Sequence, residues 1–495
     1  MRRCVFVAKV LLLGLCVGQV LATVQVYLSN RALYDTLTIV RDAGYLMVPN
    51  ERIMPRLQEF GPAFCGGLFF SLSVGAGVSL ASFALAWIWD RVLRRNRLFL
   101  AFFCLLWAGV IVALNRHGLC LMASSYFLII PPLAWFATIR WMPLPAKHRA
   151  WAKSVIHCIP IALLALLWSS QMDTGLFTGI RDHLLLSNPI GKRVNDFYYT
   201  YTLYPAEVFK SLDQKMLKAC TLQSGEQGPV ASDVERGLLK HDYLIVPPDK
   251  DISLEIIQKE NELLLRNQGK VIIRASVQDF VSRTGGVLKD FSARSDPYIL
   301  FRKLTFFSLL IGFPIALYVL VHAFFCILLS LFFDSKTSLV VASLACLLLG
   351  VALLVQVHRG TGIRIETRGL HAALQSDRWQ ERVAALKLIG DKGLEIARFS
   401  GYQEIRSSPH VPERCWLARC LGVSRKDGTY RDLLAFLDDP YPNVVSMAFF
   451  ALGQRGDRKA IGEIKQRIET SDDWYNQWYA YKALKALGWR QSRSK

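Results

Sequence analysis

Charged side chains are scarce for a chain of this size: only 20% of the 495 residues are Asp, Glu, Lys or Arg, whereas 52% are hydrophobic. Intrinsic disorder is excluded, because disordered segments combine low hydrophobicity with high charge. The scarcity is also uneven, since seven windows contain no charged residue at all. A purely soluble chain is therefore not expected, and the length predicts several domains.

Catalytic and metal-binding patterns are also missing. The 11 cysteines form no CxxC, CxxCH or zinc-type spacing, and most lie in the apolar windows, where cysteine acts as a small hydrophobe. Residues 171–303 contain no GxSxG, HExxH, P-loop or GxGxxG pattern. We therefore expect no disulfide scaffold, no metal and no cofactor, and a protein that is not an enzyme.

The charge-free windows are long enough to cross a membrane, since a spanning helix needs about 20 residues. Seven transmembrane helices are predicted, five in a membrane domain 1–170 and two in a hairpin at 304–358. The first window also resembles a cleavable secretory signal, but Lys9 and the apolar run that continues beyond Ala22 favour an uncleaved anchor. The first five helices are expected at about residues 10–30, 63–89, 98–115, 118–139 and 154–172.

Basic residues in the short loops set the predicted orientation, because Lys and Arg are retained on the cytoplasmic side. The basic segments 90–97 and 139–154 are therefore predicted to be cytoplasmic, as is the N-terminus, and residues 171–303 and the C-terminal domain to be extracytoplasmic. Arginines in the first outer loop, among them Arg41 and Arg52, count against this orientation without reversing it. We expect a multipass protein of the inner (plasma) membrane.

The net charge of +20 does not by itself indicate nucleic acid binding. Much of the excess lies in the loops predicted to be cytoplasmic, where it fits the topology and an anionic lipid surface. Residues 357–495 carry a milder excess of 24 basic over 16 acidic side chains. The expected partners are the lipid bilayer and other envelope or membrane proteins, and not nucleic acid, while the oligomeric state is left open.

The second predicted helix carries small residues at helical spacing. Ser71, Gly75 and Ser79 recur every four residues, and Gly77 belongs to a second such row. Small residues at this spacing allow helices to approach closely, so a helix-packing seam is predicted. A narrow substrate path along the same residues is the alternative.

His157 and His322 are the deep ionisable side chains in windows that lack Asp, Glu, Lys and Arg. Ion-coupled transport or proton pumping requires ionisable groups at depth, and a haem or quinone site would use histidine. A polar contact between helices is the favoured interpretation for both, and a ligand-binding role is the alternative. Outside the membrane, His183 and His241 are expected to be solvated or to cap helices.

The segment 171–303 is predicted to be a small α+β insertion, because Tyr243–Val246 and Val271–Arg274 have strand-like patterns near helical ones. The aromatic run 197–205 follows the fifth window closely. Tyrosines there are typical of a membrane-interface belt or of a partner-docking surface, and a packed core is equally compatible.

The C-terminal part contains an internal repeat. Four predicted helices end alike, with glycines at 390, 422, 453 and 488, and a shorter helix follows each of the first three. Glycine after the last helical residue supplies a left-handed turn, so these glycines are predicted to end their helices. Apolar residues one and five positions before each glycine form one stripe.

This pattern, over residues 378–489, resembles the HEAT-like repeats described in phycobilin-lyase-type proteins. Arg382 and Arg414 match the arginine of the family's Val-Arg dipeptide, although no valine precedes either, whereas Val445 and Ala480 depart from it. The resemblance implies an α-solenoid at 370–495 that binds another protein. It does not imply lyase activity, because such repeats occur in many contexts.

Aromatic side chains crowd the last repeat and occupy positions that cannot all face one core. We predict that some of them bind a partner protein or the membrane interface, and an aromatic-rich capping repeat is the equal alternative. The candidate partner-binding residues are Trp474, Tyr475, Trp478, Tyr479 and Tyr481.

The sequence as a whole predicts a mainly α protein: a seven-helix transmembrane bundle, a small α+β soluble insertion and a C-terminal α-solenoid of HEAT-like repeats. The predicted function is that of a multipass inner-membrane scaffold or assembly protein, which binds partners through extracytoplasmic repeats. The alternative is a transporter, channel or membrane-embedded enzyme with a site at the second-helix seam or around the two deep histidines.

Overall fold

The structure is a computed structural model that describes residues 2–143, 150–172, 175–223, 229–247, 252–399 and 401–493. It gives the backbone but no side-chain environment for residues 150–158. The chain is mainly helical, with 73% of residues in helices and one small mixed sheet of five strands. The predicted mainly α class and the α+β insertion are therefore both confirmed.

The N-terminal membrane region consists of six helices. The first of them runs well past the predicted 10–30, because Leu37 and Val40 continue its buried stripe on the soluble side. A π-helical turn at Ser71–Gly75 joins the second and third helices into one span. The helices are α1 (Arg2–Asp42), α2 (Phe60–Phe70), α3 (Ala76–Arg91), α4 (Arg97–Leu114), α5 (Leu121–Trp141) and α6 (Ala150–Ser169).

The described part of the middle segment contains both helices and strands, given below in chain order. A π-helical turn at Arg181–Leu185 follows α7. The helices are α7 (Leu176–Ile180), α8 (Pro189–Tyr201), α9 (Leu203–Phe209), α10 (Pro229–Lys240) and α11 (Val277–Arg294). The strands are β1 (Lys218–Gln223), β2 (Tyr243–Ile245), β3 (Leu254–Lys259), β4 (Glu262–Asn267) and β5 (Lys270–Ser276).

The strands lie in the order β2-β1-β3-β4-β5, with parallel pairing of β1 to β2 and β3 and antiparallel pairing in the β3-β4-β5 meander. The described part of the stretch 251–266, whose pattern fits strand or helix, contains β3 and most of β4. Helices α10 and α11 pack on the sheet and bury Val234, Leu238 and Phe280. The far end of α1 also contacts the sheet, where Ile39 packs against Ala219.

The chain then returns to the membrane through α12 (Ile299–Phe307), α13 (Phe313–Leu329) and α14 (Ser335–Thr361), with a π-helical turn at Ser308–Gly312 between the first two. Six stretches in the described part of the chain are long and apolar enough to cross a membrane. The seventh predicted span falls on α6, of which the shorter apolar stretch Ile159–Ser169 is described. A membrane protein is thus confirmed, whereas the count of seven spans stays a prediction.

The C-terminal domain is a row of paired helices. The four long ones, α16, α18, α20 and α22, pack side by side in chain order. The first predicted short helix, at 394–400, is instead a 3-10 turn followed by the single-turn α17. The helices are α15 (Leu370–Leu374), α16 (Trp379–Asp391), α17 (Tyr402–Arg406), α18 (Val411–Val423), α19 (Asp427–Ala435), α20 (Pro442–Arg455), α21 (Ile461–Thr470) and α22 (Trp474–Ala486).

One hydrogen bond recurs along this row. The Arg382 guanidinium binds the Ser376 carbonyl, six residues earlier, and also Glu413 of the next long helix. Arg414 repeats the arrangement with the Ser408 carbonyl and with Asp439, whose Oδ2 lies 2.7 Å from its Nε. These charge-assisted bonds tie α16 and α18 to their own entry turns and to the next unit.

Three of the four repeated glycines do not end their helices, contrary to the prediction, whereas Gly488 follows the end of α22 as predicted. Gly390, Gly422 and Gly453 lie inside long helices, and of the four only Gly488 has a left-handed backbone, with φ of +81°. Gly422 and Gly453 allow close packing instead: a Cβ on Gly422 would lie 2.9 Å from the Ala451 Cα, and one on Gly453 would lie 3.0 Å from the Ala483 Cα. A Cβ on Gly390 would make an ordinary contact with Cys420 at 3.7 Å. The first three glycines therefore mark the points where successive long helices touch.

We expect Gly422→Ala to destabilise the C-terminal domain by about 1–3 kcal/mol, the usual cost of overpacking a well-packed site. Gly428→Ala on α19 is the matched control, because a Cβ there meets nothing within 4 Å and alanine favours helix. Thermal unfolding of the full chain in detergent measures both. Equal melting temperatures for the two variants would contradict the packing role.

Candidate functional site

The predicted seam lies where α2 and α3 cross α1. The Ser71 hydroxyl donates to the Leu15 carbonyl at 3.0 Å. A Cβ on Gly18 would lie 3.4 Å from the Gly75 Cα, and a Cβ on Gly14 would collide with the Ser79 hydroxyl. The small residues of both helices are thus needed for this close approach.

Gly77 packs against a different neighbour, the π-helical turn that joins α12 and α13. A Cβ on Gly312 would lie 2.9 Å from the Gly77 Cα, and the Ser308 hydroxyl donates to the Ser73 carbonyl. The two rows of small residues therefore serve two contacts, one with α1 and one with the membrane hairpin that contains α12 and α13. A π-helical turn lies on each side of this second contact, and such turns interrupt the regular helical hydrogen bonds. The Ser308 hydroxyl therefore supplies the partner for the Ser73 carbonyl.

His322 forms a polar contact between helices. Its Nε2 lies 3.1 Å from the Ser343 hydroxyl of α14, and its ring stacks on Tyr318. This geometry accords with the favoured interpretation. The side chain of His157 lies outside the described residues.

The loop between α1 and α2 docks on the C-terminal domain through Asn50, which is buried together with Gln477. The Asn50 backbone N–H donates to Gln477 Oε1 at 2.9 Å. The Asn50 side-chain amide lies 2.8–3.0 Å from three carbonyl oxygens at the end of α21, where helical carbonyls have no partner within the helix. Those acceptors are Ile468, Glu469 and Ser471.

We expect Asn50→Ala to leave these buried groups unpaired, at a cost of about 1–3 kcal/mol. Hydrogen exchange in α21 and α22 should increase, because the loop would no longer hold the helix end. Arg52→Ala is the control, since Arg52 forms only an exposed pair with Asp472 at 3.5 Å. Unchanged exchange in Asn50→Ala would refute the docking role.

The candidate partner-binding aromatics pack largely against the chain's own middle segment. Trp474 is 7% exposed and its ring meets Tyr204 edge-on at 5.1 Å between centroids. Tyr475 lies 4.5 Å from Tyr199 by the same measure. Tyr481 is fully buried, and its hydroxyl donates to Asp242 Oδ1 at 2.7 Å.

Trp478 and Tyr479, like Tyr475, are half-buried, whereas Trp474 and Tyr481 are buried. Lys482 Nζ lies 3.6 Å from the centroid of the Trp478 ring, a cation–π contact. Trp474 and Tyr481 are thus buried in the contact between the two soluble parts, whereas Tyr475, Trp478 and Tyr479 remain partly accessible.

A buried carboxylate, Asp182, joins the start of the middle segment to the C-terminal domain. It pairs with its neighbour Arg181 at 2.7 Å and accepts from the Trp416 indole N–H at 2.8 Å. Lys387 Nζ is 3.7 Å away. A buried carboxylate requires such partners, because desolvation otherwise disfavours its charge.

His183, next in sequence, is wedged between α14 and α16. Its ring stacks on Trp379 at 5.4 Å between centroids and leaves no room for a Cβ on Gly360. Both ring nitrogens are buried and have no hydrogen-bond partner among the described residues. Burial lowers the pKa of His183 to about 4, with Lys387 acting in the same direction and Asp182 against it. The expected solvated or capping role is therefore wrong for this residue.

We expect this junction to weaken between pH 6.5 and 4. In that range the unfolded chain protonates a histidine that the folded chain keeps neutral, so stability falls as the pH falls, by about 2 kcal/mol at pH 5. His183→Phe keeps the stacking and should lose less stability between pH 7 and pH 5 than the parent protein.

Thermal unfolding at the two pH values measures the difference, and His371→Phe, at an exposed histidine, is the control. A pH-dependent loss in His183→Phe as large as in the parent would show that another group is responsible.

Equivalent positions of the four long helices form a partly exposed row, which we call the basic ladder: Lys387, Arg419, Phe450 and Lys482. They are spaced by 32, 31 and 32 residues, so each occupies the same place on its helix. The Arg419 guanidinium lies 5.2 Å from the Trp416 ring centroid and 5.9 Å from that of Phe450. The ladder therefore presents positive charge beside aromatic faces.

Asn50, Asp182 and the basic ladder were all missed from the sequence. For the ladder a signal was present, since its spacing equals the repeat length, whereas a single Asn or Asp carries no such mark. No cluster of three or more His, Cys, Asp or Glu side chains suited to a metal ion occurs within the described ranges. Comparison of the chain with family models, with curated proteins and with solved structures finds no match.

Proposed function

We propose that this chain is a multipass inner-membrane scaffold or assembly protein, which binds partner proteins through HEAT-like repeats in an extracytoplasmic C-terminal domain. The observation that carries the proposal is the basic ladder, because one partly exposed position recurs on four successive helices. Aromatic side chains and arginine are enriched in protein interfaces, and Arg419 lies beside Trp416 and Phe450. The partner that fits is an acidic protein segment with apolar side chains.

The repeat assignment is supported by geometry that recurs from unit to unit. Long helices pack in chain order, with glycine at each described contact, and Arg382 and Arg414 bind equivalent carbonyls. Gln477 makes the matching bond to the Ser471 carbonyl at 2.8 Å, although no arginine stands there. A solenoid is expected to show such neighbour-to-neighbour repetition.

A common side of the membrane for the soluble parts is supported by their mutual contacts. The loop 43–59 caps α21, and Asp242 of the middle segment binds Tyr481. We call this loop, the middle segment and the C-terminal domain together the soluble layer. Arg52, an arginine that counted against the predicted topology, forms an ion pair with Asp472 within this layer. These contacts support a common compartment for all three parts, the one that the loop charges predict to be extracytoplasmic.

Contact of this layer with lipid is supported by α8. Its inner side binds the C-terminal domain, where Asn195 Nδ2 donates to Asn443 Oδ1 at 2.8 Å. Its outer side exposes Ile190, Val194 and Phe197 in one stripe. A helix with one apolar exposed side beside membrane helices is typical of an in-plane interfacial helix.

The alternative of a transporter, channel or membrane-embedded enzyme draws less support from the bundle. Cβ atoms on Gly14 or Gly77 would collide with serine hydroxyls, so the seam is closed by packing at those points. His322 is engaged with Ser343.

A photo-crosslinking amino acid in place of Phe450 tests the scaffold proposal in intact membranes. We expect a discrete adduct with a membrane or envelope protein. Arg419→Glu should reduce the adduct about tenfold or more, because a reversed charge would repel an acidic partner. Arg431→Glu, at an exposed arginine of α19 outside the ladder, should leave it unchanged.

Absence of any protein adduct at Phe450, or an equal yield in Arg419→Glu, would refute the ladder as the binding surface. A reporter that works only in the cytoplasm can be fused after Arg493. Activity of this fusion would refute the proposed extracytoplasmic side.

A further inference from the structure

A cleft of about 550 Å³ lies between the middle segment and α22. Five lysines line it, against two aspartates. Its volume falls within the range of small-molecule sites, which are about 300–1,000 Å³. The lysines are Lys210, Lys215, Lys218, Lys482 and Lys485.

Only part of this positive charge is neutralised within the described chain. Lys485 Nζ lies 2.8 Å from Asp242 Oδ1, and Lys210 pairs with Glu207. Lys215, Lys218 and Lys482 form no ion pair with any described carboxylate. The cleft therefore carries uncompensated positive charge.

Lys218 is the lysine that most strongly indicates an anion site, because it is only 7% exposed. Its Nζ donates to the His241 carbonyl at 3.0 Å and lies 5.0 Å from the centroid of the Tyr243 ring. A buried ammonium without a carboxylate is costly. Burial accordingly lowers the pKa of Lys218 although Asp242 and Asp213 oppose the shift, and burial together with Lys210 lowers the pKa of Lys482.

Apolar side chains complete the cleft. Phe209, Met216 and Trp478 provide a wall that suits the organic part of a ligand. Phe209 also reaches the N-terminal membrane helices, since its ring centroid lies 5.9 Å from that of Phe69 in α2. A ligand could thus enter from the aqueous phase or be part of a lipid.

We propose that this cleft binds a phosphate-bearing anion, with the ammonium groups of Lys215, Lys218 and Lys482 around the phosphate and Trp478 beside its organic part. Lysine binds phosphate as a point charge, and a dianion would supply the charge that these three groups lack. Lys215 and Lys218 lie outside the basic ladder, so this proposal does not depend on the protein partner proposed above.

The full chain in nanodiscs of neutral phosphatidylcholine tests the proposal by thermal unfolding, with pyrophosphate as the soluble probe. A second arm replaces part of the lipid by phosphatidylglycerol without added pyrophosphate. We expect one of the two additions to raise the melting temperature of the parent protein. Stabilisation by pyrophosphate identifies a soluble phosphate compound, and stabilisation by phosphatidylglycerol alone identifies a lipid headgroup.

Lys218→Gln should remove that stabilisation without lowering the melting temperature of the unliganded protein, because it removes a buried charge that has no carboxylate partner. In titrations with the effective probe, affinity should fall about tenfold or more, as expected when a charge-assisted contact is lost. Lys215→Gln serves the same purpose if Lys218→Gln does not fold. Lys289→Gln, at an exposed lysine of α11, should behave like the parent. No stabilisation in either arm, or equal stabilisation in the lysine variants, would overturn the proposal.

Discussion

The capping of α21 by Asn50 is the interaction on which the arrangement of the soluble layer depends. Asn50 lies in the short connection between α1 and α2, so its hydrogen bonds join the end of the chain directly to the first two membrane helices. Gln491 reinforces this link by bonding both the N–H and the carbonyl of Leu46. Because buried carbonyls must be paired, a displaced loop would leave the end of α21 unsatisfied. The C-terminal domain, and with it the basic ladder, is therefore held in a fixed orientation to α1 and α2.

The same packing device operates in the bilayer and outside it. In the membrane, Gly14 and Gly18 of α1 face Ser79 and Gly75, and backbone contact replaces side-chain interlocking. In the C-terminal domain, Gly422 meets Ala451 in the same way. The reason differs: lipid offers no hydrophobic drive between helices, so contact area must come from close approach, whereas in water the close approach lets a row of long helices bury a continuous apolar layer.

This difference explains how much the sequence could predict. Hydrophobic windows and a repeat of about 32 residues are periodic signals, so six spans and the long C-terminal helices follow from them. The meaning of the repeated glycines did not follow, because a glycine inside a helix and one just after it look alike in sequence. Asn50 and Asp182 could not be found at all, since each meets a partner more than 200 residues away and a lone polar residue has no period. The aromatics of α22 were noticed, but their partner turned out in large part to be α8 and α9 of the same chain.

The acidic groups of the middle segment leave the positive charge of the C-terminal domain unevenly compensated. Asp182 lies beside Lys387 at one end of the ladder, and Asp242 pairs with Lys485 near the other end. Arg419 and Lys482 instead contact aromatic rings, which weakly compensate a cation and leave it able to attract an anion. Docking of the two soluble parts therefore does more than bury aromatic surface. It also neutralises the charges at the contact and leaves those of Arg419 and of the adjoining cleft available. An anionic partner or ligand would therefore meet a surface whose orientation is already set by the fold.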